Sequence, residues 1–222
     1  MKKQLIIGGD NYHLVLGAEK IQARVKELAA HIAEDYADPE TVPVLLIVLN
    51  GGIYFGADLS RALSTQGLEH EIDTIGLKAY DGDENGGEIK ILSRPRLNLS
   101  GRDIVIVEDI LDRGDTVRFL YSYFSRSRQA PRSVNSCVLC VKERERNPVV
   151  RVSYFGFSIK PEWVVGAGMD ANGLYRGLPG FYQKTARKKL LKKTSKKPSR
   201  KLAKLSGEKV EAHLSPDFSD VL

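Results

Sequence analysis

The chain has 222 residues, 42% of them hydrophobic, which is enough for one substantial core and short for two. Its formal net charge of +6 is concentrated at one end: residues 1–183 hold 22 Lys and Arg against 24 Asp and Glu, whereas residues 184–222 hold 12 against 4. The body is therefore slightly acidic, which excludes a basic nucleic-acid face on the fold itself and assigns the basicity to a C-terminal appendage.

The opening MKKQLIIGG contains only a short apolar run, too short for a signal sequence, and no later stretch approaches membrane-spanning length, so a cytoplasmic soluble protein is expected. Over residues 18–36, Ile21, Val25, Leu28, Ala29, Ile32, Ala33 and Tyr36 recur at helical intervals with charges between them, predicting an amphipathic helix. VPVLLIVLN is apolar almost throughout and runs into Gly51 and Gly52, as expected of a parallel strand covered on both faces. A second helix is predicted over residues 53–66. EHEIDTIGLKAY alternates as a strand, DGDENGG is an acidic Gly-rich loop, and EIKIL returns as a strand. DIVIVED predicts the next buried strand, residues 116–128 a helix, SVNSCVLCV a strand and YFGFSI a shorter one. This alternation defines an α/β class with a mainly parallel sheet flanked by helices. Past residue 183 the composition turns Lys- and Ser-rich without sustained periodicity, which predicts a disordered extension over residues 184–222.

Cys137 and Cys140 have a C-x-x-C spacing, but they sit in an apolar strand where residues three apart point to opposite faces. They are read as small core residues rather than a redox or metal pair. The four histidines show no ligand spacing.

The segment DIVIVEDILDRGDTVRFL carries the chemistry. Its strand delivers Glu108 and Asp109 to the carboxyl edge of the sheet, where ligands of open α/β sheets collect and where two carboxylates suit vicinal hydroxyls. The following helix starts near Thr116, and its free N–H groups, with Gly114 permitting close backbone approach, form a cradle sized for a phosphate. Hydroxyls on one side and phosphate on the other describe a sugar phosphate, with Asp112 between them as candidate general base or acid.

VIVEDILDRGDT resembles the ribose-5-phosphate signature of the type I phosphoribosyltransferases, and the chain is similar to the hypoxanthine-guanine phosphoribosyltransferases in particular. The resemblance spans residues 17–178 through ordered pieces: VLNGGIYFGADL, KAYDG, GRDIVIVEDILDRGDT, LCVKERE and FSIKPEWVVGAGMDANGLYRGLP. It implies a type I phosphoribosyltransferase fold with a small hood region, and transfer of a phosphoribosyl group from phosphoribosyl pyrophosphate to a 6-oxopurine with magnesium. It further implies that Glu108 and Asp109 hold the ribose, that Asp112 exchanges a proton with the purine N7, and that residues 112–116 (Asp112, Arg113, Gly114, Asp115, Thr116) bind the 5′-phosphate. Lys142 would read the purine 6-oxygen, Trp163 would stack on the base and the backbone of Val164 would read its edge. Asn50, Gly51, Gly52 and Arg176 would face the pyrophosphate, Asp170 with Glu108 and Asp109 would hold magnesium, and Tyr80 with DGDENGG would form a lid. A homodimer or homotetramer is expected on the same basis.

The chain departs from the family pattern at Asn50, where lysine is usual, at Arg113, where a small hydroxyl residue is usual, at Asp115, where lysine or an apolar residue is common, and at Ala79, where serine usually precedes the lid tyrosine. These departures leave open a regulatory protein that binds nucleotide or phosphoribosyl pyrophosphate and contacts nucleic acid through its twelve-cation tail. The tail could also meet an acidic partner or an anionic membrane surface, or serve only as a solubilising end. The preference among hypoxanthine, guanine and xanthine is likewise open.

Overall fold

The structure, a computed structural model, describes residues 2–38, 41–79, 88–128, 130–143 and 150–185. The expected lid, Tyr80 with DGDENGG, and all of the basic tail beyond residue 185 lie outside the described residues. In chain order the elements are β1 (Gln4–Ile7), β2 (Asp10–Leu16), α1 (Ala18–Asp35), β3 (Val44–Leu49), α2 (Gly52–Thr65), β4 (Glu71–Ala79), β5 (Ile89–Ser93), β6 (Asp103–Leu111), α3 (Asp115–Ser125), β7 (Ser133–Lys142), β8 (Tyr154–Ile159), β9 (Val164–Val165) and β10 (Phe181–Lys184).

β3 shows why its sequence is continuously apolar. Leu45 and Ile47 pack on one face with Ile21, Val25 and Leu28 of α1 and Phe55, Leu59 and Leu63 of α2. Val44, Leu46 and Val48 pack on the other with Leu120 and Phe124 of α3. β6 divides in the same way, Val105 and Val107 facing α1 and α2 while Ile104 and Ile106 face α3. A strand buried on both faces cannot alternate with polar residues, so the period of two is hidden in which core each residue joins. The sheet runs β5-β4-β3-β6-β7-β8, parallel throughout except for β5, which pairs antiparallel with β4 at the edge. The expected class and the mainly parallel sheet are borne out. Cys137 and Cys140 are free and buried in β7, as small core residues should be.

A second sheet, β1-β2-β10-β9, is antiparallel and forms the hood. Its core is Ile7, Tyr12, Val165 and Tyr182, drawn from both ends of the described chain. The sequence reading placed no strand at these positions, because β9 is two residues long and β2 finds β10 only through tertiary pairing. One local signal existed: Gly8 and Gly9, at φ 58° and 82°, make the two-residue turn between β1 and β2 that only a left-handed pair permits. α3 ends at Ser125, short of the predicted 128, because the polar run that follows offers nothing to bury.

Asp73 fastens the edge of the main sheet. Its buried carboxylate accepts the backbone N–H of Thr74 at 2.7 Å, of Arg96 at 2.6 Å and of Leu97 at 2.7 Å, tying the segment after β5 back to β4. Asp73→Ala leaves these donors without that acceptor and is expected to cost about 2–4 kcal/mol. A urea midpoint unchanged by the substitution would contradict this role.

Candidate active site

β3, β6 and β7 end at the same edge of the sheet, and the hood segment around β9 stands beside them. Between these lies a cleft of about 360 Å³. Its sheet side is lined by Asn50 and Gly51 after β3, by Glu108, Asp109 and Asp112 at the end of β6, by Thr116 of α3 and by Lys142, the last residue of β7. Trp163, Val164, Asp170 and Arg176 line the hood side. An adjoining recess of about 420 Å³ is formed by the loop from Leu111 to Thr116 and shares Glu108, Asp112 and Thr116 with the first. Every described site residue expected from the sequence, apart from Gly52, lines one of these two spaces.

The two adjacent acids do not face one another. Continuing the alternation of β6, Glu108 falls on the α3 side, where its carboxylate meets the Thr116 hydroxyl, and Asp109 on the α1 and α2 side, against the backbone of Gly51. Burial, and then the charge of Asp109, push Glu108 up to about 8. Burial pushes Asp109 up to about 6, although the Ile110 N–H at 2.9 Å and the nearby Arg176 favour its ionised form. A Cβ on Gly51 would collide with the Asp109 carboxylate, and one on Gly168, at φ 107°, would collide with the Gly51 carbonyl. Only glycine fits either place, and the three residues bring the strand end and the hood into close backbone contact. The peptide between Leu49 and Asn50, just before this contact, is cis.

Lys142 Nζ donates to Asp112 Oδ2 at 2.8 Å, with Lys142 buried and Asp112 open to the cleft. The carboxylate offsets part of the cost of burying the ammonium at the end of the strand. On the hood, Arg176 Nη2 pairs with Asp170 Oδ1 at 2.7 Å and its Nη1 donates to the Gly168 carbonyl at 2.6 Å, while the Gly173 N–H donates to Asp170 Oδ2 at 2.6 Å. Arg176, expected as a fork for phosphates, therefore also holds the hood loop together. Trp163 is 56% exposed, an unusual state for an indole and one that leaves its ring free to stack.

The loop before α3 turns through Gly114 at φ 75°, which caps the helix in the left-handed conformation that glycine alone adopts readily. Asp115, the first residue of α3, pairs through Oδ2 with Arg113 Nε and through Oδ1 with Arg118 Nη1, each at 3.1 Å. Sequence reasoning missed Arg118, whose only signal was its place one turn after an acid on a predicted helix. It also missed Leu77, Ile110 and Met169, apolar walls of the cleft that look like any core residue in sequence.

Buried acids, a helix N-terminus, a buried ammonium and an exposed indole along one cleft at the carboxyl ends of the strands define an α/β protein with its ligand site at the sheet edge. Residues 15–172 match the family described as phosphoribosyl transferase domain. The chain is 36% identical over 175 residues to a hypoxanthine-guanine phosphoribosyltransferase of Mycobacterium avium, covering 77% of this chain and 84% of that one. It is 33% identical over 171 residues to a hypoxanthine-guanine-xanthine phosphoribosyltransferase of Tritrichomonas foetus, covering 77% and 90%. A crystal structure of a hypoxanthine-guanine phosphoribosyltransferase from Bacillus anthracis superposes with a TM-score of 0.68 at 32% identity, covering 78% of this chain and 96% of that one. The chain belongs to the phosphoribosyltransferase family, in the group of the hypoxanthine-guanine phosphoribosyltransferases.

Proposed function

We propose that the protein is a purine-salvage transferase that moves the 5-phosphoribosyl group from phosphoribosyl pyrophosphate to N9 of hypoxanthine or guanine, releasing pyrophosphate and forming IMP or GMP. The observation that carries this reading is that residues from separate segments, assigned to sugar, base and pyrophosphate, line one cleft. That the relatives are named as transferases favours catalysis over the regulatory alternative.

In this reading Glu108 and Asp109 accept the ribose hydroxyls, and the charge of the ionised Asp109 favours the cationic character that grows on the sugar as its C1 bond breaks. The backbone of residues 113–116 receives the 5′-phosphate. Asp112, open to the cleft, takes the proton from the purine N7, and Lys142, beside it, donates to the 6-oxygen. An amino group at that position offers Lys142 no acceptor, which excludes adenine. Trp163 covers the base, Val164 reads its edge, and Asn50, Gly51 and Arg176 face the pyrophosphate.

Magnesium fits the donor set, which offers the hard carboxylate oxygens of Asp170, Glu108 and Asp109. Among the described residues these three carboxylates do not form a group that could hold a metal by itself, so magnesium would need substrate oxygens as well. When bound, it would neutralise charge on the pyrophosphate. Residues 1–183 are the expected catalytic domain, and Lys184, the last residue of β10, joins them; the residues beyond form the basic extension, in a cytoplasmic homo-oligomer. No helix among the described residues is long and apolar enough to cross a membrane.

The test is pyrophosphate release with magnesium and phosphoribosyl pyrophosphate while hypoxanthine, guanine, xanthine, adenine and uracil are offered in parallel. Turnover is expected with 6-oxopurines alone. Binding of phosphoribosyl pyrophosphate without turnover of any base would favour the regulator.

A further inference from the structure

Asp115 poses a conflict between folding and function. As the first residue of α3 it is well placed for the helix, whose N-terminus favours a carboxylate. The same N-terminus is where the proposed 5′-phosphate would sit, and a free carboxylate there would repel a dianion. The two arginines around it resolve this conflict. Each Asp115 oxygen has its own guanidinium, Oδ2 with Arg113 and Oδ1 with Arg118. Arg118 also donates through Nη2 to the Arg113 carbonyl at 3.2 Å. One side chain thus engages two acceptors of the loop that would oppose an incoming phosphate.

We propose that Arg118 is a positioning residue of the phosphoribosyl site: it holds the Asp115 carboxylate and the Arg113 carbonyl off the phosphate cradle, so that an acid is tolerated where the loop must bind an anion. The inference rests on the proposed function, because it assigns the recess at α3 to a 5′-phosphate. Arg118 acts through Asp115 and does not itself contact substrate. With Arg113 it sets two guanidinium groups against the one carboxylate and leaves the cluster one positive charge in excess.

The experiment is a double-mutant cycle on the full chain, read by steady-state kinetics in phosphoribosyl pyrophosphate and by thermal melting. Arg118→Gln is expected to raise KM for phosphoribosyl pyrophosphate about ten-fold while kcat stays within about two-fold, because an uncompensated like charge opposes binding and not the chemical step. Melting should not move, since the Arg118 side chain is 55% exposed. Adding Asp115→Asn, which leaves the backbone N–H assigned to the phosphate in place, should lower KM well below that of Arg118→Gln alone, since the repulsive group is then gone. The inference is overturned if Arg118→Gln leaves KM unchanged, or if the double variant stays as weak as the single one, which would put Arg118 on the phosphate itself. Direct titration of the unaltered chain with ribose 5-phosphate, followed through the fluorescence of its single tryptophan, separates this failure from a deeper one. No binding there would remove the phosphate reading of the recess, and the role of Arg118 with it.

Discussion

Glu108→Gln is expected to make the ligand-free protein more stable at alkaline pH while impairing its activity. Glu108 is pushed from its ordinary 4.5 up to about 8, first by burial and then by Asp109. Below pH 4.5 the group is protonated in both folded and unfolded chains and costs nothing. As pH rises from 4.5 to 8 the unfolded chain ionises first, so stability is lost progressively across that window, and above it the full cost remains. Glutamine keeps the shape and a bond to Thr116 but has no charge to bury. Urea unfolding at pH 4.5 and pH 9 should therefore show the two proteins nearly equal at the lower value and the variant clearly more stable at the higher, the values being set by the titration window. The same change replaces one of the carboxyl oxygens assigned to the ribose hydroxyls by an amide N–H, which cannot accept, and kcat/KM is expected to fall about 10- to 100-fold. A stability difference that did not vary with pH would refute the buried-acid account. Asp109, pushed up to about 6 from 3.8, adds a smaller loss of the same sign across that lower window. Buried acids with raised values of this kind are usual at functional sites.

Asp112→Asn is expected to lower kcat by about 10²- to 10⁴-fold while KM for phosphoribosyl pyrophosphate changes only a few-fold, because it removes a proton acceptor and not a phosphate ligand. The side chain lies at the meeting point of the two spaces and pairs with Lys142 at 2.8 Å. The purine N7 and 6-oxygen lie on one edge of the base, and the paired acid and ammonium match them as acceptor and donor. Replacing the acid leaves the buried Lys142 ammonium with only a neutral amide, so a modest loss of stability should accompany the loss of rate. Tryptophan fluorescence during titration with phosphoribosyl pyrophosphate shows whether binding survives. Equal loss in kcat and in affinity would remove Asp112 from the role of base and make it part of the phosphate cradle.

How these residues came together was only partly legible beforehand. β3 and β6 could be read because a strand covered on both faces is an unbroken apolar run, and α1 because its apolar residues recur every turn; both patterns are local. The end of β6 was legible for a related reason. Acids that interrupt such a run must emerge at the sheet edge, and a glycine before a new helix marks an anion cradle whatever surrounds it. Arg118 was within reach by the same logic, one helical turn from Asp115, but a charged pair on a helix surface usually reports nothing beyond the helix.

The amino-acid sequence by itself thus determined the α/β class, the order of the main-sheet elements, the acids at the end of β6 and, through ordered motifs, the family. Only the tertiary structure decided that Lys142 meets Asp112, that Asp109 closes on Gly51 and Gly168, and that both ends of the described chain build the hood. The physical reason is range. Periodicity and turn chemistry act over a few neighbouring residues and leave a mark in the sequence, whereas a contact such as Lys142 with Asp112 or β2 with β10 joins segments far apart in the chain and leaves none.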